Sequence, residues 1–445
     1  MTRSLAAVVM AAGLGTRMKS SRPKHLHPLL GRRMLDWVIG AVRPLPLSRL
    51  VVVSSPETRD ELARSLPPGV EVAVQQEPRG TGDAVAAART VLDGFEGDVL
   101  VVPGDAPLLT TELLATVVEK HGQERPSVTF LSVETSKPLP YGRVIRDRSG
   151  AVRRVVEERD AAPEELAVTE LNASIYAFSA ADLWWALARL DADNAQGELY
   201  LTDTVRHLVE DGRRVVGVPT EDDDAVEGVN TRAELARAAA VLRDRIVFAH
   251  MLAGVTVVDP ATTWIEPEVE IEPDAVVEPF TVLRGHTIVR REATVGPYVV
   301  ALDAEIGPRS LVGPFSYLRP GTILEEDAKA GAFVELKNSR IGGRTKVPHL
   351  SYIGDADIGE DTNIGAGAIT ANFPHEPGRP KERTTIGRNV RTGIHNGFEA
   401  PVVIGDEAWV GGGSYITDDV PARSLAIARA RQVTKEGYVG RNRNE

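Results

Sequence analysis

The sequence of 445 residues contains no cysteine. No disulfide can therefore hold the fold, and no thiolate can serve as a nucleophile or a metal ligand. Because such a chain is compatible with a reducing compartment, we expect a cytoplasmic location. Positive charge is also in deficit, since 51 Lys and Arg stand against 63 Asp and Glu and give a net charge of −12. Nothing global attracts a nucleic acid, so any phosphate binding must be local.

Long hydrophobic runs are missing as well. The apolar stretch at residues 5–12 is too short to span a bilayer. It could be interpreted as a signal peptide, because a basic residue precedes it and small residues follow it. Against that, Arg17, Lys19, Arg22 and Lys24 crowd behind it after a glycine-rich segment that secretion does not require. We expect no membrane association and no nucleic-acid partner.

Composition and length favour a globular chain of two domains. Hydrophobic residues make up 42% and charged residues 26%, which is typical of soluble globular proteins. The length exceeds what one hydrophobic core usually organises. We predict an α/β domain at residues 1–230, a linker helix at 231–250 and a second domain at 251–445.

The first domain alternates apolar runs with helical patterns. Buried strands are predicted at residues 5–10, 50–53, 70–74 and 99–102, and apolar residues recur at helical spacing over 34–42. That order indicates βαβ units around a mainly parallel, Rossmann-like sheet. Ligands of such sheets gather beyond the carboxyl ends of the strands, so the loops after these strands are the expected site.

A six-residue rhythm runs through the second domain. Its three series are Ile265, Ile271, Val277, Leu283, Val289 and Val295; Ile306, Val312, Leu318, Leu324, Ala330 and Leu336; and Ile386, Thr392, Phe398, Ile404, Val410 and Ile416. Such hexads are typical of a parallel β-helix, in which each hexad forms one flat side of a triangular coil. The rhythm breaks at 370–385, which we predict to be a loop outside the coils. Periodicity alone leaves open a purely structural or trimerising stalk.

A glycine-rich segment follows the first predicted strand. It consists of Ala11, Ala12, Gly13, Leu14, Gly15, Thr16, Arg17 and Met18. Glycines let the backbone approach an anion and successive N–H groups can cradle it, while Arg17 and Lys24 add fixed positive charge. The Rossmann fingerprint fails because Met18 stands at its third glycine position, and no P-loop pattern is present. The alternative is a glycine-rich turn with solvated basic residues.

A second glycine-containing segment falls on the same predicted edge of the sheet. Gln75 and the turn formed by Gly80, Thr81 and Gly82 precede a predicted helix at 83–91. The N-terminus of a helix carries free N–H groups and a partial positive charge. The backbone of this turn is therefore expected to meet a nucleobase or a phosphate.

Two oxygen-bearing residues suggest a magnesium site at that edge. Asp105 follows the strand predicted at 99–102, and Asn230 supplies a neutral oxygen from the end of the first domain. Mg²⁺ typically takes only one or two carboxylates together with phosphate oxygens and water, so this pair is chemically sufficient. Taken singly, Asp105 could equally be a turn residue and Asn230 a helix cap.

Further motifs cover nearly the whole chain, from residue 11 to residue 437. They are Tyr141-Gly142-Arg143, Val156-Glu157, Leu171-Asn172, Asn194-Ala195-Gln196-Gly197-Glu198, Leu201-Thr202-Asp203, Glu227-Gly228-Val229-Asn230, Arg319-Pro320-Gly321, Phe333-Val334-Glu335-Leu336-Lys337, His349-Leu350-Ser351-Tyr352, Asn363-Ile364-Gly365-Ala366-Gly367 and Leu425-Ala426-Ile427-Ala428-Arg429. With these motifs in order, the sequence resembles the bacterial bifunctional N-acetylglucosamine-1-phosphate uridylyltransferase/glucosamine-1-phosphate acetyltransferase family. The resemblance implies a left-handed β-helix, a homotrimer, and synthesis of UDP-N-acetylglucosamine for the peptidoglycan of the cell wall.

For the first domain, the resemblance implies transfer of a uridylyl group from UTP to N-acetylglucosamine 1-phosphate. It assigns Arg17 and Lys24 to the triphosphate, and Asp105 and Asn230 to Mg²⁺. The nucleotide and sugar contacts that it implies are Ala11, Ala12, Gly13, Gly15, Gln75, Gly80, Thr81, Gly142, Glu157, Asn172 and Asn230.

For the second domain, the resemblance implies transfer of an acetyl group from acetyl-CoA to glucosamine 1-phosphate. Such a reaction needs a base for the amine, and the resemblance assigns that role to His349, with Glu335 as a partner that orients it. The implied amino-sugar phosphate contacts are Arg319, Lys337, Tyr352, Asn363 and Asn372. The implied acetyl-CoA contacts are Ala366, Ile394, Gly412 and Arg429.

The acetyl-transfer half departs from the family pattern. After Asn372 the family usually continues Tyr-Asp-Gly, whereas this chain opens a longer loop at Phe373 that runs to residue 383. Ile394 replaces a frequent serine, and Gly412 replaces a frequent alanine. Two alternatives follow: a sugar-1-phosphate nucleotidylyltransferase whose second domain only trimerises or acetylates another amino sugar, and a regulatory subunit without activity. The retained His349 argues against a mere stalk.

Overall fold

In the computed structural model, the structure describes residues 3–13, 15–137, 139–374, 378 and 380–439. The chain divides into two compact units between Val241 and Leu242. The division falls inside the last helix of the first unit, Arg232–Leu252. Within the described part of the chain, no helix is long and apolar enough to cross a membrane.

The first unit contains a mixed sheet and the helices that cover it. Its strands are β1 Leu5–Ala11, β2 Pro28–Leu29, β3 Arg32–Arg33, β4 Leu47–Ser54, β5 Val70–Val74, β6 Asp98–Pro103, β7 Val128–Glu134, β8 Arg143–Arg146, β9 Val152–Val156, β10 Glu170–Ser179 and β11 Val215–Thr220. Its helices are α1 Met34–Val42, α2 Arg59–Ser65, α3 Thr81–Ala87, α4 Thr111–Glu124, α5 Pro163–Leu166, α6 Ala180–Leu187, α7 Asp203–Glu210 and α8 Arg232–Leu252, with short 3-10 turns at Thr16–Met18 and Lys24–Leu26.

The main strands of this sheet run in the order β11-β7-β10-β6-β1-β4-β5. Strand β1 pairs in parallel with both β4 and β6, whereas β10 pairs antiparallel with β6 and β7. Along β1, Ala6 and Val8 pack on one side of the sheet while Ala7 and Val9 pack on the other, and all four are fully buried. A strand covered on both faces has no polar side, which is why its sequence is continuously apolar.

The second unit is a parallel β-helix with three faces. The first face stacks Thr256–Val257, Val276–Val277, Thr294–Val295, Leu311–Val312, Lys329–Ala332 and Lys346–His349, and then Arg391–Thr392, Trp409–Val410 and Leu425–Ala426. The second face stacks Trp264–Ile265, Val282–Arg284, Val300–Leu302, Tyr317–Leu318, Glu335–Lys337, Tyr352–Gly354, Ile369–Ala371, Gly397–Glu399 and Tyr415–Ile416. The third face stacks Glu270–Ile271, Ile288–Val289, Glu305–Ile306, Ile323–Leu324, Arg340–Ile341, Ala356–Ile358, Thr384–Ile386 and Val402–Ile404, and a 3-10 turn lies at Pro260–Thr262.

The hexad residues form the core of this β-helix, which confirms the predicted fold class. Val277, Leu318 and Ile404 are each completely buried, as are most other members of the three series. The core therefore continues through every coil, and each coil covers the apolar side chains of its neighbours.

Two sequence predictions need correction at their boundaries. The helix predicted at 83–91 is α3, Thr81–Ala87, because Gly80 adopts a φ of 112° at its N-terminus and Thr81 already has helical geometry. The loop predicted at 370–385 is shorter, because Thr370 and residues 384–385 lie in strands. Thr370 fits the core because its hydroxyl accepts a hydrogen bond from Gly354 N at 2.7 Å and donates one to Gly354 O at 2.9 Å.

Candidate active sites

The carboxyl ends of four parallel strands form one edge of the first sheet. Ala11 ends β1 and is followed by Ala12 and Gly13, Gln75 follows β5, and Asp105 lies two residues beyond β6. A hydrogen bond of 2.8 Å from Gly104 N to Met10 O holds the β6 loop beside the end of β1. The predicted residues therefore share the edge at which ligands of parallel sheets gather.

Lys24 stands between the two predicted metal ligands. Its ammonium group donates to Asp105 Oδ2 and, at 2.8 Å, to Asn230 Oδ1. Arg17 Nη2 also donates to Asn230 Oδ1 at 2.8 Å. Gly15 permits this approach, because it has a φ of 62° and a Cβ there would lie 2.5 Å from Cβ of Lys24. Two cations, one carboxylate and one amide oxygen thus converge on one point.

These residues fit a magnesium ion that shares its coordination with phosphate oxygens. Asp105 and Asn230 supply oxygen atoms, the ligand type that Mg²⁺ prefers. Beside the carboxylate lies Gly228, where a Cβ would come within 3.6 Å of Asp105 Oδ1. Among the described residues, no group of three or more His, Cys, Asp or Glu side chains could hold a metal ion. A cation here would take its remaining ligands from substrate and water.

His25 adds no charge to this cluster. The imidazole is buried, and its Nε2 has no hydrogen-bond partner among the described residues. Burial, assisted by the positive charge of Lys24, lowers the pKa of His25 to about 4. The positive charge next to Asp105 therefore comes from Lys24 and Arg17 at neutral pH.

The residues predicted to face the uracil are held rigidly. The buried Gln75 donates through Nε2 to Gly80 O at 3.1 Å and to Asp83 Oδ2 at 2.9 Å. Thr81 Oγ1 accepts a hydrogen bond of 3.0 Å from Leu201 N. A Cβ at Gly80 would lie 2.6 Å from Leu199 O, so only glycine fits at this position.

The residues predicted to hold the sugar also lie together. Asn172 N donates to Gly142 O at 2.8 Å, and Asn172 Nδ2 donates to Tyr176 Oη at 2.7 Å. Asn172 Oδ1 is buried and has no partner among the described residues, which leaves it available to an amide of a ligand. Glu157 accepts a hydrogen bond of 2.9 Å from Thr202 Oγ1, and burial raises the pKa of its carboxyl group.

In the β-helix, the predicted base and the predicted coenzyme A residues form one column, and we call this the histidine column. His349, Ala366, Ile394 and Gly412 occupy successive coils, each one residue before a corner of the β-helix. Backbone hydrogen bonds connect the coils: Gly367 N to His349 O at 3.3 Å, His395 N to Ala366 O at 2.7 Å, and Gly413 N to Ile394 O at 2.8 Å. Arg429 is exposed beside this column, near Gly413.

The residues predicted to bind the phosphate of the amino sugar lie on the other side of the same corner. Arg319 Nη1 donates to Glu335 Oε1 at 2.8 Å, and Lys337 Nζ donates to Asp355 Oδ2 at 3.1 Å. Asn372 Nδ2 donates to the Asp355 carboxylate and also reaches Tyr352 Oη at 3.4 Å. We call Arg319, Glu335, Lys337, Tyr352, Asp355 and Asn372 the Arg319 cluster, in which Glu335 and Asp355 anchor the two cations.

The structure does not bring every predicted residue into that cluster. Asn363 lies on the first face, where it bridges to Lys346 and Arg391. Glu335 forms its ion pair with Arg319, and among the described residues no hydrogen bond joins it to His349. Instead of contacting His349, Glu335 pairs with Arg319 of the neighbouring coil. The reason is that the two residues lie on different faces: Glu335 begins a strand of the second face, whereas His349 ends a strand of the first.

Asp355 is an anchor that the sequence analysis missed. Burial alone would raise its pKa, but hydrogen bonds from Asn338, Asn372 and Lys337 outweigh that effect and lower the pKa of this carboxyl group. The spacing of these residues along the chain gave no signal for the contact. Only the coil geometry brings positions 338, 355 and 372 to one corner.

Replacing this anchor is expected to destabilise the β-helix. Asp355→Ala leaves two amide donors without their acceptor and should lower the free energy of unfolding by about 3 kcal/mol at neutral pH. Because the folded pKa is lowered, the carboxylate stabilises the unaltered protein above the ordinary value of 3.8 and loses that effect as the pH falls below it. Urea unfolding between pH 3 and pH 7 should show a flatter pH dependence in the variant; identical profiles would contradict this.

Lys381 is a second residue that the sequence analysis missed. It lies in the loop after Asn372, with its ammonium 5.8 Å from the ring centre of Phe373. Lys337 lies beside Lys381, and this neighbour lowers the pKa of Lys381. Two neighbouring ammonium groups favour an anion such as phosphate. Residues 375–377 and 379 of this longer loop, and Leu14 of the glycine-rich segment, lie outside the described residues.

Comparisons with known proteins cover both units. A family model described as a MobA-like NTP transferase domain matches residues 7–201. The bifunctional protein GlmU of Mycolicibacterium vanbaalenii is 46% identical over 99% of this chain and 94% of its own length. GlmU of Mycobacterium marinum is 45% identical over 98% of the chain and 93% of its own length. GlmU of Mycobacterium tuberculosis is 45% identical over 98% of the chain and 92% of its own length.

The matches to the GlmU proteins extend through both the first unit and the β-helix. They confirm the resemblance that the sequence motifs indicated, and they are not restricted to one of the two candidate sites. The chain belongs to the family of the bifunctional protein GlmU.

Proposed function

We propose that this chain carries out two reactions of UDP-N-acetylglucosamine synthesis at two separate sites. The β-helix acetylates glucosamine 1-phosphate with acetyl-CoA, and the first unit then transfers a uridylyl group from UTP to N-acetylglucosamine 1-phosphate. The convergence of Arg17, Lys24, Asp105 and Asn230 supports the assignment of uridylyl transfer to the first unit. Relatives named bifunctional over nearly the full length favour two activities over a single activity on an inert stalk.

In the first unit, an oxygen of the sugar phosphate attacks the α-phosphorus of UTP, and pyrophosphate leaves. The bond from the α-phosphorus to the bridging oxygen breaks as the new P–O bond forms, so no covalent enzyme intermediate is required. Arg17 and Lys24 offset the negative charge that builds up on the phosphates. Asp105 and Asn230 would hold Mg²⁺, which neutralises phosphate charge when bound.

The remaining residues of this site position the two substrates. The backbone of Ala11, Ala12, Gly13 and Gly15 approaches the nucleotide phosphates. Gln75, Gly80 and Thr81 border the uracil. Gly142, Glu157 and Asn172 border the N-acetylated sugar. Asn172 Oδ1, which has no hydrogen-bond partner in the described part of the chain, accepts from the amide N–H of that sugar.

In the β-helix, His349 acts as the general base. Its imidazole takes a proton as the amine nitrogen of glucosamine 1-phosphate attacks the thioester carbonyl. The C–S bond then breaks, and the imidazolium returns the proton to the leaving sulfur, so that coenzyme A is released as the thiol. Ala366, Ile394, Gly412 and Arg429 continue the histidine column and line the path of acetyl-CoA. Arg319, Lys337, Tyr352, Asn372 and Lys381 hold the phosphate of the amino sugar, and the carboxylates of Glu335 and Asp355 hold Arg319 and Lys337 in place.

The assembly that we propose is a homotrimer. Phe280, Tyr298, Phe315 and Phe333 stack along one corner of the β-helix, with ring centres 4.7, 4.8 and 5.1 Å apart. Each ring is about half exposed, so the ladder presents a straight apolar edge. A second copy of this β-helix has the same spacing between its coils, so its apolar edge can pack along the ladder. The next corner residue beyond Phe333 is Leu350, which directly follows His349.

The cytoplasmic location stays a prediction.

Lys381→Ala tests the composition of the phosphate site. Loss of one charge-assisted contact should raise KM for glucosamine 1-phosphate about tenfold, with kcat changed by less than about twofold. Initial rates of thiol release at varied substrate concentration measure both. Lys329→Ala, on the first face, is the matched control. An unchanged KM in the Lys381 variant would remove Lys381 from the site.

A pair of assays on the unaltered protein tests the two activities. Pyrophosphate release is followed with UTP, Mg²⁺ and N-acetylglucosamine 1-phosphate, and thiol release with acetyl-CoA and glucosamine 1-phosphate. Because the chain contains no cysteine, a thiol reagent reports coenzyme A without background from the protein. Both signals are expected. A missing pyrophosphate signal would overturn the assignment of uridylyl transfer, and a missing thiol signal would overturn that of acetyl transfer.

A further inference from the structure

The turn that carries Asn230 is held from three directions. Val229 N donates to Asp105 O at 2.8 Å, which ties the turn to the other proposed metal ligand. Glu234 Oε2 accepts from Asn230 N at 2.6 Å. The third contact comes from Tyr141, which belongs to none of the site residues named above.

The hydroxyl of Tyr141 makes two hydrogen bonds to this turn. It donates to Val226 O at 3.2 Å and accepts from Gly228 N at 2.7 Å. One oxygen therefore satisfies a carbonyl and an amide two residues apart, which fixes the path of the backbone between them. Burial raises the pKa of Tyr141, so the phenol keeps the proton that it donates. Gly228 lies beside the Asp105 carboxylate.

Tyr141 also borders the proposed sugar site. It directly precedes Gly142, whose carbonyl accepts the backbone hydrogen bond of Asn172. Its ring packs against the core on one side of the sheet, so the aromatic part has a structural role that phenylalanine can fill. The hydroxyl is the part of the side chain that hydrogen-bonds to the turn at Gly228.

We propose that Tyr141 is a positioning residue that holds the Gly228–Asn230 turn so that Asn230 Oδ1 faces Asp105, and thereby sets the affinity of the cation site. This inference rests on the proposed uridylyl transfer. Residues that orient a metal ligand typically change metal affinity when they are replaced. Because the hydroxyl contacts the turn and not the substrates, we expect its loss to weaken cation binding and to leave substrate binding unchanged.

The test is Tyr141→Phe, which removes the hydroxyl and keeps the ring. Mn²⁺ replaces Mg²⁺ as a paramagnetic probe, and its binding to the full chain is measured by electron paramagnetic resonance with UDP-N-acetylglucosamine present. We expect binding roughly 10-fold weaker than in the unaltered protein. The Mg²⁺ concentration for half-maximal pyrophosphate release should rise by a similar factor, and the rate should recover at saturating Mg²⁺.

Thr135→Val is the matched control, since it removes a hydroxyl that donates to Asp223 Oδ2 at 3.0 Å, upstream of the turn. It should leave the Mn²⁺ affinity unchanged. A Tyr141 variant that binds Mn²⁺ normally, or whose rate stays low at every Mg²⁺ concentration, would overturn the inference. If the unaltered protein releases no pyrophosphate, the proposed function fails, while the Mn²⁺ measurement still decides the role of Tyr141.

Discussion

Asp105→Asn is expected to slow pyrophosphate release about 1,000-fold, the size of effect typical for loss of a central electrostatic contact in an active site. The carboxylate pairs with Lys24 and is one of two proposed ligands for the cation. Asparagine keeps the shape of the side chain but removes the charge, so the site loses both its hold on a divalent ion and the anchor of Lys24. Initial rates with UTP, Mg²⁺ and N-acetylglucosamine 1-phosphate measure the effect.

Two controls distinguish a specific effect at the nucleotide site from general damage to the protein. Thiol release by the same variant should stay within about twofold of the unaltered protein, because the other site shares no residue with this one. Asp60→Asn, an exposed carboxylate of α2 with 86% of its side chain accessible, should leave pyrophosphate release unchanged. Pyrophosphate release that survives in Asp105→Asn would exclude Asp105 from the chemistry.

The second large effect concerns His349→Ala, which should lower thiol release about 1,000-fold, within the range found for removal of a general base. His349 ends its strand at an exposed corner and supports no part of the core, so the fold should survive. Initial rates of thiol release with acetyl-CoA and glucosamine 1-phosphate are the measurement, at equal concentrations of the variant and the unaltered protein.

The exposed His286 of the same β-helix provides the control for this prediction. His286→Ala should leave both activities unchanged, and His349→Ala should leave pyrophosphate release unchanged. Thiol release that persists at the normal rate in the His349 variant would assign the base to another group.

Much of the fold could be predicted from the sequence because its patterns are local. Strand β1 is apolar on both sides, and the β-helix repeats one buried residue per hexad, so both follow from periodicity. The start of α3 was wrong by two residues, since the pattern did not show that Gly80 adopts a positive φ and begins the helix at Thr81.

For the candidate sites too, local patterns identified individual residues but not the contacts between distant parts of the chain. Short motifs indicated Lys24 and Asp105 without showing that the Lys24 ammonium sits between Asp105 and Asn230. Asp355 was missed because its partners Asn338 and Asn372 each lie 17 residues away on neighbouring coils. Lys381 was missed because its loop brings it to Lys337, which belongs to a strand far earlier in the chain. No local pattern encodes such a contact. The expected pairing of Glu335 with His349 was wrong for the same reason.

The central claim is that two independent sites share this chain, and a complementation experiment tests it most directly. UTP, Mg²⁺, acetyl-CoA and glucosamine 1-phosphate are supplied together, and UDP-N-acetylglucosamine is measured. Neither Asp105→Asn nor His349→Ala should form the product alone at an appreciable rate. A mixture of the two variants should form it, because the acetylated sugar phosphate made by one diffuses to the other. A mixture that stays as inactive as its components would contradict the account.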